Sequence, residues 1–144
     1  MKDHPPYIEK TILISAPALK VWDVLINPDY TRQWGEEFSE GTWVESDWQL
    51  ASEVVWMTKD GEVGARGVIT SCEPGSLLQI GFYDDVNSRP PLPLGEYSES
   101  YFLAEKSDAT QFSFKAGPLP AQAIISHTLL WSNAVAKIKM LAET

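Results

Sequence analysis

The sequence has few cysteines, few histidines and few basic residues, and each shortage excludes a class of function. The single cysteine, Cys72, cannot form an intramolecular disulfide, which suits a reducing compartment. One cysteine and two histidines cannot supply the Cys-x-x-Cys or His-Glu-x-x-His spacings of zinc sites, so we expect no metal. No glycine-rich motif stands between a predicted strand and a predicted helix, so we expect no cofactor.

Positive charge is scarce, since 11 Lys and Arg stand against 20 Asp and Glu, which gives a formal net charge of -9. Proteins that bind nucleic acid or anionic membrane surfaces do so with Lys and Arg, so neither partner is expected. Long apolar runs are missing too, because none approaches the ~18 residues of a membrane-spanning helix. The first residues lack the apolar segment of a signal peptide. We therefore expect a cytoplasmic protein.

What the sequence does have is a composition suited to one folded domain. Its 144 residues are 44% hydrophobic and 22% charged, which is ordinary for a globular protein of this size. No linker, internal repeat or low-complexity tract divides the chain. Residues 1–144 are therefore predicted to form a single domain.

The first part of the chain predicts one strand followed by two short helices. Residues 7–15 are rich in β-branched side chains that partly alternate with polar ones, which predicts a strand. Ser15 is the predicted N-cap of a helix that ends at an Asn-Pro pair, and a second helix is predicted over about 29–34. We expect the two helices to form a kinked lid with Trp22 and Trp34 facing inward.

The rest of the chain predicts an antiparallel meander and one long helix. Short turns such as the Asp-Gly pair at 60–61 join successive strands, whereas parallel neighbours need long crossovers. A proline-rich loop at 84–95 is the exception, and long loops of this kind are often functional. Apolar spacing predicts a helix over 121–143. The predicted strands cover residues 41–45, 49–58, 63–73, 76–84, 96–105 and 110–117.

The segment "SAPALKVWDVLINPDYTRQW" resembles the opening of the SRPBCC (START-like) superfamily. The similar branch is the one related to the C-terminal domain of activators of the heat-shock protein 90 ATPase. Further likeness follows in order, in "SDWQLASEVVW", "GVITSCEPGSLL" and "WSNAVAKIKML", so it covers nearly the whole chain. The sequence departs from the family at Ala51, where a glycine is usual, and in the longer loop at 84–95. The motif residues at the opening are Ala16-Pro17, Val21-Trp22, Leu25, Asn27-Pro28 and Trp34.

This resemblance implies an α+β helix-grip fold. A curved antiparallel sheet wraps around a long C-terminal helix in this fold, with two short helices after the first strand and a cavity between sheet and helix. The resemblance implies no single activity, because the superfamily includes lipid carriers, hormone receptors and aromatase/cyclases. Function must therefore be argued from the site.

Large aromatic side chains are the strongest sign of a site. They come from the lid, several strands and the last helix, which converge on one space in a helix-grip fold. Each aromatic taken singly is explained by a dense core, but together they are typical of the apolar walls of a small-molecule site. The residues expected to line the cavity are Trp34, Phe38, Trp56, Phe82, Tyr101, Phe112, Phe114, His127 and Trp131.

Polar candidates are few. A lone histidine is weak evidence for catalysis, so His127 is expected to bond to a neighbouring strand or to lie half exposed, with a ligand contact as the alternative. Cys72 stands beside an acidic residue, which raises a thiol pKa, and is expected to be inert. Glu53, Arg66 and Glu99 are expected on the solvent face of the sheet, although an inward position of Arg66 or Glu53 would indicate a functional role.

Three functions follow, in order of preference. The first is non-enzymatic binding of a hydrophobic small molecule, lipid-like or aromatic. The second is a protein-interaction domain that contacts a chaperone, as the resemblance suggests, ranked lower because this sequence shows no second domain. The third is an enzyme of the cyclase/dehydratase kind that uses His127 with Tyr101 or Glu53. No catalytic residue is assigned, and a homodimer is left open.

Overall fold

A seven-stranded antiparallel sheet packs against a long C-terminal helix in the computed structural model, which describes residues 6–144. The strand order is β1-β7-β6-β5-β4-β3-β2, so the first strand pairs with the last and every other pair joins neighbours along the chain. The strands are β1 (Ile8–Ile14), β2 (Trp43–Glu45), β3 (Glu53–Met57), β4 (Val63–Glu73), β5 (Leu77–Phe82), β6 (Ser98–Lys106) and β7 (Ala109–Gly117). The helices are α1 (Ala18–Ile26), α2 (Pro28–Gly35) and α3 (Ala121–Ala142). The predicted helix-grip α+β fold is confirmed.

Alternation along β6 and β7 decides which side chains reach the helix. Tyr101 pairs with Phe114 and Leu103 with Phe112, so all four lie on the inner face of the sheet, and all four are buried. The helix α3 lies against this face, where its Trp131 ring stacks on Phe114 with 3.8 Å between centroids. Side chains two apart on a strand share a face, so the inner face of β6 continues through Glu99.

The lid formed by α1 and α2 has the predicted orientation. Trp22 and Trp34 are both buried, and the indole Nε1 of Trp34 donates to the carbonyl of Val24 at 2.8 Å. The predicted N-cap was wrong, because the cap position is Pro17 rather than Ser15. Proline offers no side-chain acceptor, and the Glu105 carboxylate of β6 instead accepts from the first helical N–H at 2.7 Å.

The predicted strands near 41–45 and 49–58 are shorter in the structure. Two residues between β2 and β3 have left-handed backbone angles, with φ of 56° at Trp48 and 72° at Ala51. Such angles cannot continue a strand, so β3 begins only at Glu53. Ala51 is the position where the resembling family carries glycine, and glycine adopts positive φ without strain.

The proline-rich loop 84–95 packs on the outer face of the sheet and corrects one prediction. Arg66 faces away from the cavity, as expected, but it is only 8% exposed because this loop covers it. Its Nε donates to the carbonyl of Val86 and its guanidinium to Glu53, both at 2.7 Å. Glu53 keeps 43% of its side chain exposed, as expected. The loop is therefore fastened through a buried cation.

The helix α3 buries a single face. Ala134 and Ile138 have no exposed surface, whereas Ile125 and Leu129 on the opposite side are 82% and 63% exposed. No helix in the described part of the chain combines the length and the apolarity needed to cross a bilayer.

Candidate functional site

A cavity of about 360 Å³ lies between α3, the end of the lid and the inner face of the sheet. A second space of about 410 Å³ adjoins it toward the start of the proline-rich loop. Six residues line both spaces, which therefore form one continuous site: Trp56, Gly64, Ala65, Tyr97, Glu99 and His127.

The structure divides the predicted aromatic residues into two groups. The residues that line the site are Phe38, Trp56, Phe82, His127 and Trp131. The residues buried behind these walls are Trp34, Tyr101, Phe112 and Phe114, each 2% exposed or less. A role of any of them in ligand binding stays a prediction.

Edge-to-face and stacked ring contacts hold the wall in place. The Phe38 ring meets Trp131 edge-on at a centroid distance of 4.6 Å, and Trp56 meets Trp34 in the same way at 5.6 Å. The stacked Phe114 supports Trp131 from below. Such pairs add about 0.5–1.5 kcal/mol each beyond the area they bury. The wall is therefore a preformed aromatic surface supported by the core.

Glu99 is the polar centre of the site, and its predicted position on the solvent face was wrong. Its side chain is only 7% exposed and lines both spaces. The hydroxyl of Tyr97 donates to one carboxylate oxygen and the hydroxyl of Tyr101 to the other, both at 2.9 Å. The three residues alternate along the chain in "YSESY", so Glu99 shares the inner face with the buried Tyr101 and the partly buried Tyr97. The sequence signal for the inward position of Glu99 is this two-residue spacing from the tyrosines.

The protonation of this group of residues follows from its burial. Desolvation raises the pKa of Glu99 to about 7, although the two tyrosine hydroxyls that donate to it act in the opposite direction. Burial, followed by the neighbouring negative charge of Glu99, raises the pKa of Tyr97 and Tyr101 well above the ordinary tyrosine value. The tyrosines therefore remain hydrogen-bond donors, while Glu99 exchanges its proton near neutral pH.

His127 bonds within its own helix and not to a neighbouring strand. Its Nδ1 lies 2.9 Å from the carbonyl of Ala123, one turn earlier in α3. A carbonyl oxygen only accepts, so the Nδ1–H is the donor in this contact, and in the neutral ring Nε2 is the remaining acceptor. The ring is partly exposed and lines the site, which matches the half-exposed position expected from the sequence.

Two acidic side chains line the two spaces, Glu99 in the interior and Asp84 at the loop end. No lysine or arginine within residues 6–144 joins them. Residues 6–144 contain no cluster of three or more His, Cys, Asp or Glu side chains placed to hold a metal. Cys72 is absent from the lining, and burial raises the pKa of its thiol, which disfavours the reactive thiolate.

Solved structures of similar proteins share this architecture. ChR145 from Cytophaga hutchinsonii has a TM-score of 0.72 at 21% identity over 99% of this chain and 97% of its own. The Aha1 dimer from Colwellia psychrerythraea has a TM-score of 0.72 at 15% identity over 96% of each chain. DynU16, a protein in the dynemicin biosynthetic locus, has a TM-score of 0.73 at 14% identity, over 96% of this chain and 47% of its own. These identities establish the fold alone.

Sequence comparison establishes the family. No curated protein matches the chain significantly. The family model described as polyketide cyclase/dehydrase and lipid transport matches residues 6–138, nearly the whole chain. This match confirms the SRPBCC resemblance, and the chain therefore belongs to the polyketide cyclase/dehydrase and lipid transport family.

Proposed function

We propose that this protein binds a hydrophobic small molecule, aromatic or lipid-like, in the space between the sheet and α3. One observation carries the proposal: an aromatic-walled cavity of about 360 Å³ surrounds a single buried carboxyl group. Ligand sites are typically clefts of about 300–1,000 Å³ with apolar walls and a few polar groups that fix orientation. The cavity has the size, the walls and the polar group.

The residues that line the cavity would contact two different parts of the ligand. Phe38, Trp56 and Trp131 offer flat apolar surface to a ligand body, and their ring contacts fix them before any ligand arrives. A preformed wall loses little conformational entropy on binding, which favours affinity. Glu99 and His127 would orient the polar end of the ligand. The family description, which names both lipid transport and cyclase/dehydrase activity, agrees with a hydrophobic ligand.

A cavity-filling substitution tests the proposal without removing any existing contact. Ala65 lines both spaces, so Ala65→Phe places a ring where the ligand would lie. The matched control is Ala104→Phe, which adds the same ring at an exposed position of β6. The probe is N-phenyl-1-naphthylamine, a neutral fluorophore that brightens in apolar surroundings. We expect saturable binding to wild type and to Ala104→Phe, and none to Ala65→Phe. Equal binding to all three proteins would place the probe elsewhere and refute the proposal.

A second candidate function, proton-transfer catalysis, is favoured by Glu99 itself. A carboxyl group with a pKa of about 7 is suited to give and take protons at neutral pH. Glu53, which the sequence offered as a catalytic partner of His127, lies on the outer face beside Arg66. Glu99 is therefore the candidate carboxyl group for this role. The test is deuterium exchange at the carbons next to the carbonyl of 2-indanone in D₂O. Acceleration by wild type that Glu99→Gln abolishes supports catalysis, whereas equal rates with and without protein refute it for this ketone.

Three expectations about partners and location stay predictions. They are a contact with a chaperone, a homodimer and a cytoplasmic location. Analytical ultracentrifugation tests the second directly, since a concentration-independent monomer excludes it.

A further inference from the structure

We infer that the ligand of this site carries a protonated amine on its hydrophobic body, bound by Glu99 among the aromatic rings. The inference rests on the proposed function and narrows it to one chemical class. Its support is the charge and the hydrogen-bonding character of the lining, taken group by group.

Charge is the first argument. Among residues 6–144, the acidic side chains that line the two spaces are Glu99 and Asp84, and no lysine or arginine of that part of the chain lies beside them. The guanidinium of Arg66 belongs to the neighbouring strand but points to the outer face, where Val86 and Glu53 accept its hydrogen bonds. A ligand carboxylate or phosphate would therefore meet like charge and no donor cation. The formal net charge of -9 attracts cations over longer distances as well.

Hydrogen-bonding character is the second argument. The hydroxyls of Tyr97 and Tyr101 already donate to Glu99, one to each oxygen. Each carboxylate oxygen accepts more than one hydrogen bond, so Glu99 keeps acceptor capacity toward the cavity. The bond of His127 to Ala123 leaves Nε2 of the neutral ring as a further acceptor. The ionised carboxylate of Glu99 and this nitrogen both accept from a ligand, and an ammonium group offers donors only.

The aromatic wall is the third argument. Phe38, Trp56, Tyr97 and Trp131 line the same cavity as Glu99. Ring faces attract cations, tryptophan most strongly, and aromatic enclosures are a recurrent way to hold ammonium groups. A carboxylate surrounded by such rings offers an ion pair in a setting with little competing water. An alcohol would use the same acceptors but would gain nothing from charge.

Binding of an amine should depend on pH because Glu99 must be ionised to form the ion pair. The titratable groups around Glu99 are Tyr97 and Tyr101, which bond to it, His127 on α3, and Tyr83 and Asp84, which follow β5 and line the second space. The flanking strands place Ile80 and Ala116 opposite Glu99, and neither titrates. Because burial raises the pKa of Glu99 to about 7, amine affinity should rise between pH 6 and pH 8.

Three probes that share one ring system test the inference: 1-naphthylmethylamine, 1-naphthalenemethanol and 1-naphthoate. Calorimetric titration of wild type at pH 8 should give an amine affinity at least about tenfold above that of the alcohol, with naphthoate weakest, since hydrogen bonds to charged groups are the strong ones. In Glu99→Gln the amine should lose about tenfold while the alcohol changes by less than about threefold. Glu96→Gln, which removes one exposed negative charge three residues away, should leave all affinities unchanged.

The possible results distinguish a failure of the amine inference from a failure of the proposed hydrophobic binding. If wild type binds the amine and the alcohol with equal affinity, the inference of an amine ligand is wrong. Binding of the alcohol would in that case still support a hydrophobic site. Tighter binding of naphthoate would also overturn the amine inference. No binding by any probe would overturn both the inference and the proposed function. The comparison among probes uses wild type alone, so it stands even where Glu99→Gln fails to fold.

Discussion

The buried carboxyl group of Glu99 should make the stability of this protein fall as pH rises toward neutrality. The perturbation is a pH series, and the comparison is Glu99→Gln, whose side chain has similar size and stays neutral at every pH. Tyrosine hydroxyls rotate freely, so Tyr97 and Tyr101 can accept from the amide as well as donate to it. The substitution therefore removes the titration while it keeps the shape and hydrogen-bonding capacity of the site.

The magnitude follows from the pKa of Glu99 in the two states. It is about 4.5 in the unfolded chain, and burial raises it to about 7 in the folded protein. The folded state thus holds a proton that the unfolded state has released, so this stabilisation is complete below pH 4.5 and is lost as pH rises through 7. At about 1.4 kcal/mol per pKa unit, the total amounts to about 3 kcal/mol.

Urea denaturation at intervals between pH 5 and pH 8 is the assay. The unfolding free energy of wild type minus that of Glu99→Gln should fall by about 2–3 kcal/mol across this range, which covers most of that total. Glu143, whose pKa is lowered chiefly by its bond to Lys139, acts in the opposite direction at lower pH, but both proteins contain it and its effect cancels. A difference that stays constant from pH 5 to pH 8 would show that Glu99 is solvated, against the burial described above.

Three further substitutions test the wall, the helix cap and the loop. Trp131→Ala should lower the unfolding free energy by ~3–5 kcal/mol, because the ring is 3% exposed and stacked. The control is Trp43→Ala on edge strand β2, which should lower the unfolding free energy clearly less because Trp43 is partly exposed. Equal losses would contradict the packing. Glu105→Gln should cost ~0.5–2 kcal/mol by weakening the cap of α1, and no change would show that the cap is solvent-satisfied. Arg66→Met should cost ~1–3 kcal/mol and speed proteolysis within 84–95, while an unchanged cleavage rate would show that other contacts hold the loop.

Periodic patterns in the sequence predicted most elements of the fold because each element buries one face. The alternation in β7 and the helical spacing around Trp131 follow directly from that requirement, and their predicted bounds lie within a residue or two of those observed. The strand predicted from residue 49 was wrong in the segment before β3, and the reason is local. Backbone angles at Trp48 and Ala51 depend on the surrounding loop, and no apolar pattern records them.

The positions of charged side chains were harder to predict because they depend on distant parts of the chain. Arg66 lies on the outer face, as its alternation indicates, but a loop some twenty residues later covers it. Glu99 was assigned to solvent on the average behaviour of glutamate, although its two-residue spacing from the buried Tyr101 and the partly buried Tyr97 places it inward. Pattern gives the face of a strand that a residue occupies, whereas burial depends on what packs against that face.

The depth of the aromatic residues was the other part that the sequence left open. Phe112 and Phe114 lie beneath the cavity floor, and Phe38 and Trp56 lie on its walls, yet all four have the same apolar character. Which of them contacts a ligand depends on how closely α3 approaches the sheet. That distance is a property of the whole packing and not of any one segment.

The central claim is that the space between α3 and the sheet binds a hydrophobic ligand, and NMR titration of the tryptophan indole N–H signals tests it most directly. Trp56 and Trp131 line the site, whereas Trp43 and Trp48 are absent from its lining. On addition of 1-naphthalenemethanol, the signals of Trp56 and Trp131 should shift saturably, those of Trp43 and Trp48 should stay in place, and Ala65→Phe should abolish the shifts. Unmoved signals of Trp56 and Trp131 at saturating ligand, or equal shifts of Trp43 and Trp48, would contradict the account.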